Sequence, residues 1–436
     1  MQQKLARRLG LGALIIYGIG DILGAGIYTT VGKVILEARS GAWLTYILAA
    51  LLAMITGLSY AELSARFPVS GGAAVFVRRA IPGKFAATMA GIIVLSTGLV
   101  SASVVINGFV RYLAPLTSFP MPIAQILLLS CISFLSFWGI QESSRVNILL
   151  TFIEVFGLVA VIITGLWIMD VPAFDNFISQ AQEDFHPSGI FGAITIAFYA
   201  YIGFEDLANL AEECKNPKRD LPRAILIAII ATSIIYFLVT SVLLINVPLH
   251  EILQQSDHNS KKEVLLLIFE KAHAHWFLQY FAVIAIIAIT NTGLINLIMA
   301  SRLIYGMAQE DLMPKFLGRI HSKRHTPHLA VLTAFFAVLI LVFTGALTTL
   351  IKTTNLLIIL VFSMTHLSLI IVRIKKEKHD GIQFPIFVPL IGLLLSLAIL
   401  TQFDFNIWKR SMIILAFGFF IWLSKKISTN QVKEKT

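Results

Sequence analysis

Four glycines surround one carboxylate in the first apolar segment of the chain. The carboxylate is Asp21, and the glycines are Gly18, Gly20, Gly24 and Gly26. Each glycine weakens a helix by about 1 kcal/mol relative to alanine. One interpretation is a helix broken near Gly24 that turns its free backbone groups towards a ligand, since hydrocarbon tolerates broken backbone only beside protein or a water-filled cavity. The other is a packing seam at which small residues let neighbouring helices approach closely.

A second group of polar residues interrupts the sixth apolar segment. The adjacent acids Glu205 and Asp206 follow Gly203 and an aromatic run. Two acids in a membrane span cost several kcal/mol unless they face a cavity or a partner. They indicate either a second break or an intact helix whose end lies among lipid headgroups. Interruptions in the first and sixth segments together favour two breaks, which is typical of transporters that bind substrate at the membrane midplane.

The two predicted breaks expose backbone ends of opposite partial charge. A helix N-terminus presents N–H groups and partial positive charge, whereas a C-terminus presents carbonyl oxygens and partial negative charge. With the N-terminus of the chain in the cytoplasm, the second half of segment one begins at residues 24–26 and can bind a carboxylate. The first half of segment six ends at residues 199–202 and can bind an ammonium group. This pair predicts a site for the zwitterion of an α-amino acid.

Three acidic residues in apolar segments are candidates for coupling transport to protons. Asp21 lies at the carbonyl end of its half-helix, where a negative charge is disfavoured and a proton or cation is expected. Glu154 is a lone acid in the fifth segment, and its alternative role is a structural hydrogen bond to backbone or a hydroxyl group. Glu205 lies at the amide end of the second half of segment six.

The composition is that of a membrane protein with many spans. The chain has 436 residues, of which 57% are hydrophobic and 13% charged, and its mean hydropathy is +0.83. Soluble domains carry about 25% charged residues. We predict about twelve spans. They begin near Leu11, Ala42, Phe85, Pro122, Val146, Gly189, Arg223, Trp276, Leu329, Thr348, Phe384 and Met412.

The formal charge of +10 follows from basic residues in short loops, not from a nucleic-acid surface. These loops alternate with acidic or mixed ones, and the basic loops fall on the side of Arg7 and Arg8. By the positive-inside rule, we expect both termini in the cytoplasm and the protein in the inner, cytoplasmic membrane of the cell.

Several motifs occur in order along the first ten segments. They are residues 24–27 (GAGI), 61–72 (AELSARFPVSGG), 198–204 (FYAYIGF), 211–213 (AEE), 216–217 (NP), 221–222 (LP), 301–302 (SR), 305–307 (YGM), 312–314 (LMP) and 326–327 (TP). Through these motifs the chain resembles the amino acid–polyamine–organocation transporter superfamily, and within it the bacterial amino acid permeases with a LeuT-type fold.

The resemblance implies an all-α membrane protein that forms a single transmembrane domain over residues 1–436. Its first and sixth helices would be discontinuous. Residues 11–169 and 189–373 would form a five-plus-five inverted repeat, and residues 384–426 two additional helices.

The resemblance also implies roles for residues of the two breaks. The substrate carboxylate would meet backbone at Gly24, Ala25 and Gly26. The ammonium group would meet the carbonyl groups of Ile22, Tyr199, Ala200 and Ile202. An aromatic gate would be formed by Tyr201 or Phe204.

Two positions depart from the family pattern. Proton-coupled relatives often carry a lysine where this chain has Glu154, which leaves the coupling ion open. Relatives usually carry a neutral residue where this chain has Asp21, so a cationic substrate or a sodium ion is an alternative.

The function that these features predict is secondary amino acid transport by alternating access, with proton symport as the expected coupling. Exchange of an amino acid for an amine or polyamine, and sodium-coupled symport, are the alternatives. A sensor or a channel is disfavoured, because the chain shows neither a signalling domain nor a continuous polar stripe. The expected partners are the small substrate, a proton and the bilayer. No catalytic residue, metal site, cofactor or nucleic acid is expected, since most histidines lie in loops without a metal-ligand array.

Overall fold

A computed structural model describes residues 7–24, 26–113, 118–184, 186–256, 264–343, 347–375 and 381–433. Across these residues the regular structure is helical, which confirms the predicted all-α class. The α-helices are α1 Leu11–Leu23, α2 Gly26–Ala38, α3 Ala42–Arg66, α4 Gly72–Ala80, α5 Phe85–Leu113, α6 Met121–Trp138, α7 Ile140–Ile168, α8 Val171–Glu183, α9 Pro187–Tyr199, α10 Pro217–Asn246, α11 Leu249–Ser256, α12 Leu266–Lys271, α13 His275–Gln309, α14 His328–Phe343, α15 Leu347–Ile374, α16 Phe387–Leu400 and α17 Phe405–Lys433. Short 3-10 helices cover Arg39–Gly41, Phe204–Leu210 and Lys315–Gly318.

Nine helical stretches in the described part of the chain are long and apolar enough to cross a membrane. The shorter apolar helix α14 lies at the predicted ninth span. Helices α16 and α17 lie at the predicted eleventh and twelfth spans and meet at 103°. This arrangement is consistent with the predicted total of about twelve.

Local sequence explains where several of these helices begin. Proline lies in the first turn of α6, α9 and α10, where its missing N–H leaves no hydrogen bond unmade. Between α6 and α7, Gly139 adopts φ 160° and ψ 157°, an extended conformation that ends one helix and allows the next to begin.

The helices differ in how deeply they lie within the bundle. In α13, 78% of the most apolar window is buried, whereas in α6 the share is 28%. Helix α10 packs along α3, α13 packs along α5, and α1 lies against α10 and α7. The broken first span is therefore enclosed by other helices, as a site that excludes lipid requires.

One end of the bundle, here called the terminal face, carries residues 7–9, 67–71, 211–216 and 310–327. There the buried carboxylate of Glu62 accepts hydrogen bonds from Nη2 of Arg66 at 2.8 Å, from Nε of Arg373 at 2.9 Å and from the backbone N–H of Phe384 at 3.1 Å. Arg373 Nη2 also pairs with this carboxylate. Basic residues that were predicted to share one side of the membrane thus meet on one face of the bundle.

Candidate functional site

The first span is broken at Gly24. The backbone N–H of Gly24 makes the last helical bond, to the carbonyl of Gly20 at 3.2 Å, and Gly24 itself adopts φ 21° and ψ −136°. A new helix starts at Gly26. Ala25, a predicted site residue, lies outside the described residues. The break therefore falls where the glycine pattern predicted it.

The neighbouring glycines of α1 also serve the alternative role of close packing. A Cβ atom on Gly18 would lie 2.8 Å from Cδ1 of Leu207, and one on Gly20 would overlap Oγ1 of Thr151. Both interpretations of the glycine pattern are thus correct, at different positions of one segment.

The sixth span is broken between Tyr199 and Phe204. Helix α9 ends at Tyr199, and the chain continues as a turn to Gly203, which adopts φ 133°. The backbone N–H of Gly203 donates to Oε2 of Glu205 at 2.9 Å, so this acid is held against the turn. Glu205 is 4% exposed, which rules out a position in solvated headgroups, whereas Asp206 is half-buried.

The two breaks lie directly against each other. A Cβ atom on Gly203 would be 3.0 Å from the carbonyl oxygen of Asp21, and one on Gly26 would be 2.9 Å from the carbonyl oxygen of Ala200. Glycine is needed at both places because any side chain would push the breaks apart. The structure therefore brings the predicted residues of segments one and six together.

Tyr236 of α10 connects the carbonyl groups of both breaks. Its hydroxyl group lies 2.7 Å from the carbonyl oxygen of Ile22 and 2.9 Å from that of Ala200. A hydroxyl group has one proton, so it can donate to only one of the two oxygens at a time. The pair of carbonyls can therefore accept a further donor, and the partial negative charge of two helix ends favours a positively charged one.

Two of the residues whose carbonyl groups were predicted to bind the substrate ammonium group do not belong to this pair of carbonyls. The carbonyl oxygen of Tyr199 accepts the backbone N–H of Ile202 at 3.2 Å and takes part in the turn. Ile202 is partly buried and packs against the apolar core. Ile22 and Ala200 are thus the two predicted residues whose carbonyl groups the structure juxtaposes.

The two candidate gate residues point towards opposite ends of α3. Tyr201 is fully buried, and its hydroxyl group donates to the carbonyl of Tyr46 at 3.2 Å. Phe204 stacks on Phe362 at 5.7 Å between ring centroids and meets Tyr60 edge-on at 5.8 Å. Tyr46 and Tyr60 are separated by about 21 Å along a helix. Tyr201 therefore covers the break from one side and Phe204 from the other.

Glu154 lies in a buried polar cluster between α7 and α13. Nδ2 of Asn291 donates to Oε2 of Glu154 at 3.4 Å and to Oγ1 of Thr151 at 3.0 Å, and Nδ2 of Asn147 donates to Oδ1 of Asn291 at 2.9 Å. Tyr28, in the second half of the broken span, donates to the carbonyl of Glu154 at 3.2 Å. The acid thus makes the structural hydrogen bonds of its alternative reading and also contacts the broken helix.

The three candidate acids are all buried, and within the described part of the chain none of them forms an ion pair. Oδ2 of Asp21 and Oε1 of Glu154 also have no hydrogen-bond partner there. A buried carboxylate without a cation costs several kcal/mol. These acids must therefore hold a proton or receive a cation.

The segment after the second break is tied to the terminal face. Glu213 pairs with Arg302 of α13, with both side chains fully buried and Nη2 3.2 Å from Oε1. Its carbonyl oxygen accepts the backbone N–H groups of Arg8 at 2.9 Å and Leu9 at 3.0 Å. The neighbouring Glu212 accepts the backbone N–H of Ser70 at 3.2 Å and the hydroxyl group of Tyr305 at 3.1 Å. These contacts close the terminal face below the breaks.

The opposite face holds a cavity of about 570 Å³. Leu36 and Glu37 of α2 line it, together with Ser188 and Gly189 of α9. Each of these helices has 13 residues and runs from the cavity to a break, a length of about 20 Å. The cavity is thus a candidate entrance to the site. Among the described residues, no group of His, Cys, Asp and Glu side chains is suited to hold a metal ion.

Sequence reasoning did not find Tyr236, Asn147 or Asn291. Tyr236 occurs in an apolar helix, where an aromatic residue is ordinarily interpreted as part of the hydrophobic core. The two asparagines offered a usable signal, because a buried amide in a membrane span needs a polar partner.

Comparisons with known proteins point to a family of transporters. The model of a family described as amino acid permease matches residues 9–423. The chain is 26% identical to the branched-chain amino acid permease BcaP of Bacillus subtilis (strain 168), over 77% of this chain and 74% of that protein. It is 25% identical to the inner membrane transport protein YbaT of Escherichia coli (strain K12), over 92% of this chain and 91% of that protein. It is 29% identical to the chloroplastic cationic amino acid transporter 9 of Arabidopsis thaliana, over 73% of this chain, and the match spans 58% of that longer relative.

Proposed function

Because the chain belongs to the amino acid permease family, we propose that it is a secondary transporter that moves an amino acid across a membrane by alternating access. The observation that carries the proposal is the pair of carbonyl oxygens, from Ile22 and Ala200, that share one hydroxyl proton of Tyr236. This pair lies beside Gly26, where a 13-residue helix begins.

The charges of these backbone ends suit a zwitterion. The substrate ammonium binds the carbonyl groups of Ile22 and Ala200, with Tyr199 and Ile202 as further ligands from the same turn. The substrate carboxylate binds backbone at Gly24, Ala25 and Gly26, where the N-terminus of α2 supplies partial positive charge. Neither interaction requires a charged side chain.

Tyr236 acts as a substitute for the substrate before substrate binds. Its hydroxyl group occupies the position between the two carbonyls that the ammonium group takes when substrate binds. Substrate entry then separates the breaks and replaces one shared proton with the several donors of an ammonium group.

The gates follow from the contacts on either side of the breaks. Tyr201 closes the site towards the cavity lined by α2 and α9, and Phe204 closes it towards the terminal face. The ion pair of Glu213 and Arg302 must separate before substrate can leave through that face.

Proton symport is the proposed mode of coupling. Glu154 is the first candidate for the coupling group, because it is buried, lacks an ion-pair partner in the described residues and contacts the second half of the broken first span through Tyr28. Asp21 and Glu205 are the other candidates. Exchange and sodium symport are the alternatives that the transport experiment must separate.

The same proposal includes the membrane setting. The basic terminal face lies in the cytoplasm, with both chain termini on that side of the inner membrane. The chain forms one transmembrane domain, with residues 11–169 and 189–373 as inverted repeats and residues 384–426 as added helices.

The test is uptake by the purified full chain in proteoliposomes. A panel of labelled amino acids is offered with a proton gradient, with a sodium gradient, and with neither but with unlabelled amino acid inside. We expect saturable uptake of at least one amino acid, accumulated only with the proton gradient. Counterflow alone would establish exchange in place of symport, and no saturable uptake of any amino acid or amine would contradict the proposal.

A further inference from the structure

Two carboxyl groups meet where the breaks touch. A Cβ atom on Gly203 would lie 3.1 Å from Cγ of Asp21, so the carboxyl group of Asp21 lies against the turn of the sixth span. On that turn, Glu205 places Oε2 2.9 Å from the backbone nitrogen of Gly203. Gly203 is therefore flanked by an acid from each broken helix.

These two acids differ in what they bind. Glu205 accepts the N–H of Gly203, whereas Oδ2 of Asp21 is buried and has no hydrogen-bond partner among the described residues. Asp21 as a residue is 7% exposed. One turn earlier in α1, the hydroxyl group of Tyr17 is likewise buried without a described partner. Two buried polar atoms beside the breaks therefore have no hydrogen-bond partner among the described residues.

The buried cation Arg302 is already paired with a different acid, Glu213. Arg302 is fully buried, and its guanidinium group binds both carboxylate oxygens of Glu213, with Nε 3.3 Å from Oε2 and Nη2 3.2 Å from Oε1. Neither Asp21 nor Glu205 forms an ion pair within the described part of the chain. An acid that remains charged in such surroundings needs a cation from outside.

We propose that the substrate is a cationic amino acid, whose side-chain ammonium or guanidinium group binds Asp21, with Glu205 beside it. This inference rests on the proposed function, and it assigns Asp21 and Glu205 to the substrate, which leaves Glu154 as the coupling group. Asp21 directly precedes Ile22 in α1, so the second cation binds next to the carbonyl that receives the main-chain ammonium.

The comparisons do not decide this point. Relatives of similar identity are named as a branched-chain amino acid permease and as cationic amino acid transporters. The feature of the site itself that favours a cationic substrate is the buried carboxyl group of Asp21, because it attracts a positively charged side chain and not an uncharged one.

The experiment compares two amino acids that differ by one charged group. L-Lysine and L-norleucine have the same carbon chain, and norleucine lacks the side-chain ammonium. Uptake of each labelled compound is measured in proteoliposomes. We expect the KM for lysine to be at least about tenfold lower than the KM for norleucine, because a buried charge pair contributes that much to binding.

The Asp21→Asn variant should raise the KM for lysine at least about tenfold and change that for norleucine much less. The control is Asp220→Asn, which removes another buried acid, 4% exposed, in the first turn of α10. Asp220 lies about 24 Å along that helix from Tyr236. This variant should leave both values unchanged. Glu205→Gln provides a second, independent variant with the same expected direction.

Lysine and norleucine binding to each detergent-purified variant, measured by thermal stabilisation, shows whether a variant that does not transport still folds and binds. Equal KM values for the two compounds, or equal effects of Asp21→Asn on both, would overturn the inference and leave the proposed function in place. A changed pH dependence with an unchanged lysine-to-norleucine ratio would assign Asp21 to a proton and also overturn it. Absence of uptake for every amino acid would instead contradict the proposed function.

Discussion

Tyr236 places its hydroxyl oxygen 2.7 Å from the carbonyl oxygen of Ile22, at the last turn of the first half-helix. The second carbonyl of this arrangement belongs to Ala200, at 2.9 Å. One tyrosine thus joins the two broken helices through one carbonyl oxygen of each, and its removal tests whether it substitutes for substrate.

Tyr236→Phe should destabilise the empty protein by about 1–3 kcal/mol, because buried carbonyl groups lose their donor. It should also increase the thermal stabilisation by saturating substrate, since an ammonium group no longer competes with the hydroxyl group. Both quantities are measured by unfolding in detergent. Tyr280→Phe, on a side chain that is 61% exposed, is the control. Equal stabilisation by substrate in the variant and the native protein would show that Tyr236 is only structural.

Gly203→Ala should reduce amino acid uptake by at least about tenfold. Gly203 adopts φ 133°, where a side chain adds about 1–3 kcal/mol of strain, and the new Cβ would lie 3.0 Å from the carbonyl oxygen of Asp21. Gly98→Ala is the matched control, because a Cβ atom at Gly98 has no other atom within 4 Å. Uptake by the Gly203 variant at the level of the Gly98 variant would mean that the breaks need not touch.

Glu154→Gln should abolish accumulation driven by a proton gradient and leave counterflow intact. Glutamine keeps the size of the side chain but cannot carry the coupling proton. Glu251→Gln is the control, since this acid lies in an exposed pair with Lys271 at 2.8 Å. If Glu154→Gln and Asp21→Asn both retain gradient-driven accumulation, proton coupling through these acids is wrong.

Arg302→Met should destabilise the protein by about 3–5 kcal/mol, because it leaves the buried carboxylate of Glu213 without its cation. The double variant Arg302→Met with Glu213→Leu should recover most of this loss, since no buried charge remains. Thermal unfolding in detergent measures both. A double variant as unstable as the single one would show that the ion pair does not account for the closed terminal face.

The sequence predicted the positions of both breaks for different physical reasons. Around Gly24 the signal is local, since glycine lowers helix stability wherever it occurs. Around Gly203 the signal came from two acids in an apolar segment, and burial of Glu205 shows that the break is the correct interpretation.

Residues that act across long distances in the chain were not predictable in this way. Tyr236 and Ile22 are 214 residues apart, and neither has a pattern that identifies the other. The same holds for Asn291 and Glu154, which are 137 residues apart. Such pairs form when helices pack together. The apolar periodicity of a helix shows which of its faces is buried, but not which other helix packs against that face.

The central claim is that opposed helix ends bind the two charged groups of one amino acid. Its most direct test is competition for uptake of labelled L-lysine and L-leucine in proteoliposomes by the same amino acids, by their Nα-acetyl derivatives and by their methyl esters. We predict that the amino acid transported competes with its own uptake, and that both blocked forms compete at least about a hundredfold more weakly, because each leaves buried backbone groups unpaired. Blocked forms that compete as well as the free amino acid would contradict the claim.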